Sequence, residues 1–389
     1  MEASRQNSIG DSAGGSQGLK YDAEPAARWT PEDFAELLKW GASIGISDLE
    51  AHAQSPIWVR LHGDWFQVTE RKVAGEELFW ILDKISRNDA AQATVKGGED
   101  FNFPYEVQVK RGVKERFRAV ATACKDGVGT GVSIVFRSIP EHPPNIEDLE
   151  VEERLLRAAY PDNGLVLITG TMGSGKSTLI SSMLQWIGQN RQKHIVTYEA
   201  PIEFNLMGIK GLQGPIIQSD VPSHLKNFLS GIRNSTRRAP DVIFVGESRD
   251  PETLRGMIEA AEIGVAAYST VHTRSVAESP SRIINVFDQT QQQQIAATMI
   301  SCLRLIVQQR LLPKVGGGRI AVREFLEFTP ALRNQLLRTP VEELIPTIEG
   351  MVYQHGQPMM EAVNKAQQAG LITGQQLRDI IKERESAMG

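Results

Sequence analysis

Gly170-Thr171-Met172-Gly173-Ser174-Gly175-Lys176-Ser177 is the stretch that decides how this chain folds. Its spacing is G-x-x-x-x-G-K-[ST], the pattern of a loop built to hold phosphate. The glycines let the backbone curl so that successive N–H groups point at phosphate oxygens. A helix opening near Lys176 adds the positive end of its dipole. Lys176 is then expected to reach the β- and γ-phosphates of ATP, with the Ser177 hydroxyl on Mg²⁺, and Thr178 closes the stretch. The flanks suit this reading. Leu165–Thr169 is a short apolar run that reads as a strand, and an amphipathic helical pattern follows through Trp186.

Further strands read at His194–Tyr198, Val242–Val245 and Ala266–Val271, with helical pattern between them. Alternation of this kind predicts an α/β domain around a mostly parallel sheet, here over residues 147–389. From Pro280 onward the chain is expected to be largely helical, interrupted at Gly316-Gly317-Gly318. Ile295 to Leu312, with Arg304 and Arg310 inside it, reads as one packed amphipathic helix rather than a membrane span.

Working back from the loop, the Pro-rich residues 139–146 disfavour both helix and central strand and read as a linker. Residues 28–138 are expected to form a smaller α+β domain. Thr30-Pro31-Glu32-Asp33 is a strong helix start. Ile46 to Val68 alternates as a two-stranded hairpin about Gly63-Asp64. A helix over Gly75 to Asn88 and strands at Phe103–Lys110, Arg116–Ala123 and Gly131–Ser138 complete it. Asp48, Glu50 and His52 share one strand face; without a fourth ligand, a solvated face outweighs a metal site. Residues 1–27, rich in Ser, Gly, Ala and Gln, are expected as a flexible arm.

Composition narrows the function classes. The 389 residues suit two or three domains at roughly 150 residues each. A net charge of −5 argues against a dedicated nucleic-acid coat, which needs a broad basic excess, though a basic channel formed by assembly stays open. Cys124 and Cys302 stand far apart and in no C-x-x-C arrangement, so a disulfide framework is unexpected and a reducing compartment fits. With no secretory h-region, a cytoplasmic location is expected.

A phosphate loop says nucleotide, not purpose. Ligands of open parallel sheets gather at the carboxyl ends of the strands, and three more strands end in chemically able groups: Tyr198-Glu199-Ala200-Pro201-Ile202-Glu203, Gly246-Glu247-Ser248-Arg249-Asp250 and Thr270-Val271-His272-Thr273. Singly, each reads as a capping or solvated residue. Together with the loop they converge on one sheet edge.

These four motifs, in this order and spacing, resemble the secretion ATPases, the motors of type II and type IV secretion and of pilus retraction, over roughly residues 30 to 385. Thr197–Phe204 is similar to the family's Asp box, Pro240–Asp250 to its Walker B segment and Gly264–Thr273 to its His box. The usual Glu-Asp-Pro-Ile-Glu stands here as Glu199-Ala200-Pro201-Ile202-Glu203, losing one carboxylate. That form, with Gln218–Pro222 and Arg323-Glu324-Phe325-Leu326, resembles the DotB-like motors of Dot/Icm type IVB secretion and the TraJ-like motors of I-type conjugative plasmids.

The resemblance implies a RecA-like P-loop ATPase domain with a smaller, PAS-like N-terminal domain. It implies a homo-hexamer that hydrolyses ATP with Mg²⁺ and docks on an inner-membrane secretion or conjugation machine from the cytoplasm, without a span of its own and without a clear need for nucleic acid. It implies Glu199 as the water-orienting base, Glu247 as the Mg²⁺-linked Walker B acid (or the reverse) and His272 as a γ-phosphate sensor. Charge neutralisation is expected from Arg118 and Arg137 of the N-terminal domain, with surface ion pairs on their strands as the alternative, and from Arg237 as a finger of the adjacent subunit, with Arg116 and Arg249 behind them. Other classes remain at this point: a soluble P-loop kinase acting on a small molecule, and a nucleic-acid-translocating ATPase.

Overall fold

The structure, a computed structural model, describes residues 19–388 apart from residues 62, 111, 112, 128, 222, 236 and 249. It falls into two compact units that divide between Glu141 and His142.

The first unit contains α1 (Pro31–Ser43), β1 (Asp48–His52), β2 (Trp58–Leu61), β3 (Asp64–Gln67), α2 (Gly75–Ser86), α3 (Ala91–Lys96), β4 (Phe101–Lys110), β5 (Val113–Asp126) and β6 (Gly129–Ile139). Its antiparallel sheet runs β3-β2-β1-β6-β5-β4. Thr30 and Asp33 exchange hydrogen bonds of 3.1 and 3.0 Å as a capping box, worth about 1 kcal/mol. The helix it starts buries Phe34, Leu37 and Leu38.

Three expectations change here. The segment read as one hairpin holds three strands, because the chain turns at residues 53–57 before pairing β2 with β3. Of the expected arm, residues 1–18 lie outside the described residues, but residues 19–24 are tied down. Tyr21 is buried and its N–H bonds the Val68 carbonyl, while Glu24 accepts from the Glu70 and Arg71 amides. Asp48 is not solvated. It is 4% exposed and accepts from Arg137 at 2.8 Å, so the face carries an ion pair.

The second unit contains α4 (Glu153–Ala158), β7 (Gly164–Thr169), α5 (Lys176–Asn190), β8 (Ile195–Glu199), β9 (Ile216–Asp220), α6 (Phe228–Ser235), β10 (Val242–Val245), α7 (Pro251–Glu262), β11 (Ala266–Val271), α8 (Glu278–Ile284) and α9 (Gln289–Cys302). These are followed by β12 (Leu303–Pro313), β13 (Arg319–Glu327), α10 (Pro330–Leu336), α11 (Leu344–His355), α12 (Met359–Gln368) and α13 (Gly374–Met388). The sheet order is β13-β12-β7-β11-β10-β8-β9, parallel throughout except for the antiparallel pair β12–β13.

Every residue of β7, β8, β10 and β11 is buried. Alternation sends Leu165, Leu167, Val196, Ile243 and Val245 into a core shared with α7, α9 and α11. Val166, Ile168, Ile195, Val242 and Phe244 go into another, filled by Leu179, Ile180 and Met183 of α5. Each such side chain contributes about 2 kcal/mol of apolar burial, which is why these strands read as unbroken apolar runs.

The expected helix over Ile295 to Leu312 is a correction. It ends at Cys302, and Leu303–Pro313 is a strand beside β7. A segment apolar on both faces has no period that separates buried helix from buried strand. The triple glycine then forms the β12–β13 turn, where all three residues have positive φ. Apart from the β12–β13 pair the region after Pro280 is helical as expected, whereas β9 has no counterpart among the strands expected from the sequence.

Candidate nucleotide site

The parallel register brings the expected strand ends together. Thr169 pairs with Val271, Val245 with Ser269, and Val245 with Tyr198, so the chain leaves β7, β11, β10 and β8 along one edge. The phosphate loop starts there. Gly170, Gly173 and Gly175 have φ of 142°, 74° and 81°. A Cβ at Gly170 would strike the Gln309 carbonyl of β12, so both conformation and space demand glycine.

The loop opens on α5, whose N-terminus has no side-chain cap, leaving amides for an anion. Lys176 is buried and donates to the carbonyls of Gly170 and Thr171 at 2.8 and 2.9 Å. Burial pushes its ammonium below the usual lysine value, against the opposing fields of Glu203 and Glu247. The Ser174 hydroxyl is buried and finds no hydrogen-bond partner among the described residues, as expected of a group made to meet a ligand. Ser177 and Thr178 are partly exposed on the first turn, and Met172 stands out at the rim, 86% exposed.

Glu199 closes β8 at 5% exposure. The Thr197 hydroxyl donates to its Oε1 at 2.5 Å and the Gln218 amide at 3.0 Å. Desolvation raises its carboxyl to about 7, against the lowering effect of those two donors and of the Glu203 N–H; the Glu203 charge raises it further. Such a group is poised near neutrality, as a general base requires. Gln218 also accepts from the Leu206 and Met207 amides and donates to the Phe204 carbonyl, so one side chain sets both the base and the loop beyond it.

Glu247 follows β10 and is partly exposed. The peptide before it is fixed from both sides: the Gly246 N–H bonds the Tyr198 carbonyl at 2.8 Å, and the Thr270 hydroxyl donates to the Gly246 carbonyl. His272 is exposed just past β11. Its neighbour Thr273 is bound to Thr169, N–H to Oγ1 at 2.9 Å and hydroxyl to hydroxyl at 2.6 Å, which places His272 beside the start of the phosphate loop.

A strand, a phosphate loop, two acidic strand ends and a histidine on one edge are what a triphosphate-cleaving site needs. A family model for type II/IV secretion system proteins matches residues 128–321. The type IV pilus retraction ATPase PilT of Pseudomonas aeruginosa is 33% identical over 82% of this chain and 89% of its own length. The chain belongs to the type II/IV secretion ATPase family. The X-ray structure of the Legionella pneumophila ATPase DotB matches this secretion ATPase with a TM-score of 0.86 at 32% identity, over 94% of this chain and 99% of that one. The crystal structure of the pilus retraction motor PilT with bound ADP matches at 0.77 and 31%, over 89% and 96%. The second unit is thus a RecA-like P-loop domain, and the chain is an ATPase.

The arginines fall in different places. Arg118 and Arg137 are exposed and stand directly opposite each other on β5 and β6 of the first unit's sheet. Arg137 is held by Asp48, whereas Arg118 has no ion-pair partner among the described residues. Arg116 pairs with Glu106 at 3.6 Å, and Arg249 lies outside the described residues. Arg237 is exposed in the turn leading into the amino end of β10, the edge opposite its own phosphate loop.

Glu203 and Gln218 stand in stretches that the sequence singles out, yet neither is expected there as a working residue: Glu203 is legible from its place four residues after Glu199, whereas Gln218 meets Glu199 only across the β8–β9 pair. Gln309, which braces the loop, lay in a segment assigned to helix. Mg²⁺ fits the donors present. Among the described residues no group of three His, Cys, Asp or Glu is placed to hold a metal, and Ser177 with Glu247 offers the one or two hard oxygens that Mg²⁺ takes alongside phosphate and water.

Proposed function

We propose that this ATPase is a hexameric motor powering a type IVB-like secretion or conjugal DNA-transfer apparatus from the cytoplasmic face of the inner membrane. The observation that supports it most is the near end-to-end likeness to DotB, joined to the Glu199-Ala200-Pro201-Ile202-Glu203 box. Among the described residues no helix is long and apolar enough to cross a membrane; in this reading the motor docks on membrane-embedded partners.

In this reading the amides of 171–178 and the Lys176 ammonium hold the β- and γ-phosphates. Glu199, ionised, takes a proton from the attacking water as the bond between the γ-phosphorus and the bridging oxygen breaks. Lys176 and the loop amides stabilise the charge that collects on the departing ADP. Ser177 and Glu247 would hold Mg²⁺, which when bound would supply electrostatic stabilisation of the phosphate oxygens. His272 reports on the γ-phosphate. Arg118 is favoured over Arg137 for neutralising charge, since Arg137 already has Asp48, and Arg237 acts on the next subunit's site.

Turnover per subunit should fall steeply on dilution through the assembly threshold; an unchanged rate in the monomer would refute the hexamer. Stimulation by inner-membrane components of a type IVB or conjugation machine is expected, with none from single-stranded DNA or small phosphate acceptors. Likeness to PilT supports a second reading, pilus retraction. Restored twitching in a pilus-retraction mutant, without restored secretion or conjugation in the matching strains, would select it.

A further inference from the structure

Hydrolysis leaves one buried charge unexplained. Arg323 on β13 is 1% exposed. Its Nε donates to Gln309 Oε1 at 2.8 Å, and the Gln309 amide donates to the Ser174 carbonyl inside the phosphate loop at 2.7 Å. The other side of the guanidinium donates to the Leu149 carbonyl at 3.0 Å, and to the Glu150 carbonyl and the Glu152 carboxylate at 3.3 Å each. Gln357 completes the set, donating to Glu152 at 3.0 Å and to the Arg323 carbonyl at 2.9 Å.

Taking an arginine out of water is costly, and a well-packed apolar residue would usually fill the space at less cost. What only a planar fork supplies is donors in several fixed directions at once. Here they join the back of the phosphate loop to residues 149–152, the segment that enters this unit from the division at Glu141 and His142.

We propose that Arg323 is a positioning residue for nucleotide binding: through Gln309 it fixes the Ser174 carbonyl, and with it the curl of the phosphate loop, to the entering segment 149–152. Loop and segment then shift together, and the strength of the phosphate grip depends on the link. The inference rests on the reading that residues 170–178 hold the triphosphate.

Gln309→Glu in the full-length chain is the test. The carboxylate still partners Arg323 but has no proton for the Ser174 carbonyl. The KM for ATP and the Kd of a fluorescent ADP analogue should rise about tenfold, the worth of one buried hydrogen bond, with kcat within about threefold and the variant still folded at the assay temperature by circular dichroism. Arg323→Lys, whose single ammonium cannot span both sides, should raise KM in the same way and serves if Gln309→Glu does not fold. Wild-type nucleotide affinity in either folded variant overturns the proposal, and loss of fold in both assigns the network to folding alone and also overturns it. Lys176→Ala separates the underlying reading: should it bind nucleotide normally, the loop assignment itself is wrong, whereas loss of binding there beside normal binding in Gln309→Glu rejects only the brace.

Discussion

Two carboxylates end neighbouring strands of one sheet, and their surroundings differ. Glu199 is nearly inaccessible, receives hydrogen bonds from Thr197 and Gln218, and has its carboxyl raised to about 7 by desolvation. Glu247 is partly exposed, on a peptide pinned at Gly246 by both neighbouring strands. Residue type alone makes them interchangeable. Burial separates them: the desolvated acid suits proton transfer near neutral pH, and the wetter one suits a hydrated cation.

The sharpest way to break this pairing is by exchange of function. Glu199→Gln should lower kcat by about 10³ while ATP stays bound, measured as single-turnover hydrolysis against retention of labelled ATP; normal turnover would reverse the two roles. Glu247→Gln should lose less, about tenfold to a hundredfold, with part of the loss recovered as Mg²⁺ is raised. Glu199→Gln should show no such recovery in the same Mg²⁺ titration, and equal recovery in both would erase the distinction.

Stability offers a check that needs no turnover. A carboxyl whose pKa rises on folding, from the usual 4.5 to about 7, costs the folded state as it ionises. Glu199→Gln should therefore match wild type near pH 4.5, gain steadily on it as pH rises toward 7, and hold a plateau of roughly 3 kcal/mol above that. Urea unfolding across this range tests the sign; a gap that shrinks with rising pH would contradict the burial argument. The finest effect concerns Gln218. Wild-type kcat should climb through an apparent pKa near 7, since the ionised form is the base. Gln218→Leu removes a donor to that ionised form and should move the limb upward by on the order of half a pH unit.

Legibility in the sequence followed the same line between local and distant causes. The strand, loop and helix from Leu165 to Trp186 were readable because glycine spacing, apolar run and helical period all lie within one short window. Thr30 and Asp33 were readable for the same reason. The segment Leu303–Pro313 was not, since its apolar residues satisfy a buried helix and a buried strand equally, and only pairing with β7 settles which. The environment of Glu199 was out of reach as well: Gln218 is on another strand, and its contact with the carboxylate exists only once β9 lies beside β8.

Glycine placement, a lysine at a helix start and acids after apolar runs determine, from the chain alone, that a nucleotide's phosphates are held and where, because those demands act between near neighbours in sequence. Which acid is dry, which arginine already has a carboxylate and what stands behind the phosphate loop were decided only by tertiary structure, because desolvation and hydrogen bonding depend on groups that are distant along the chain and adjacent in space.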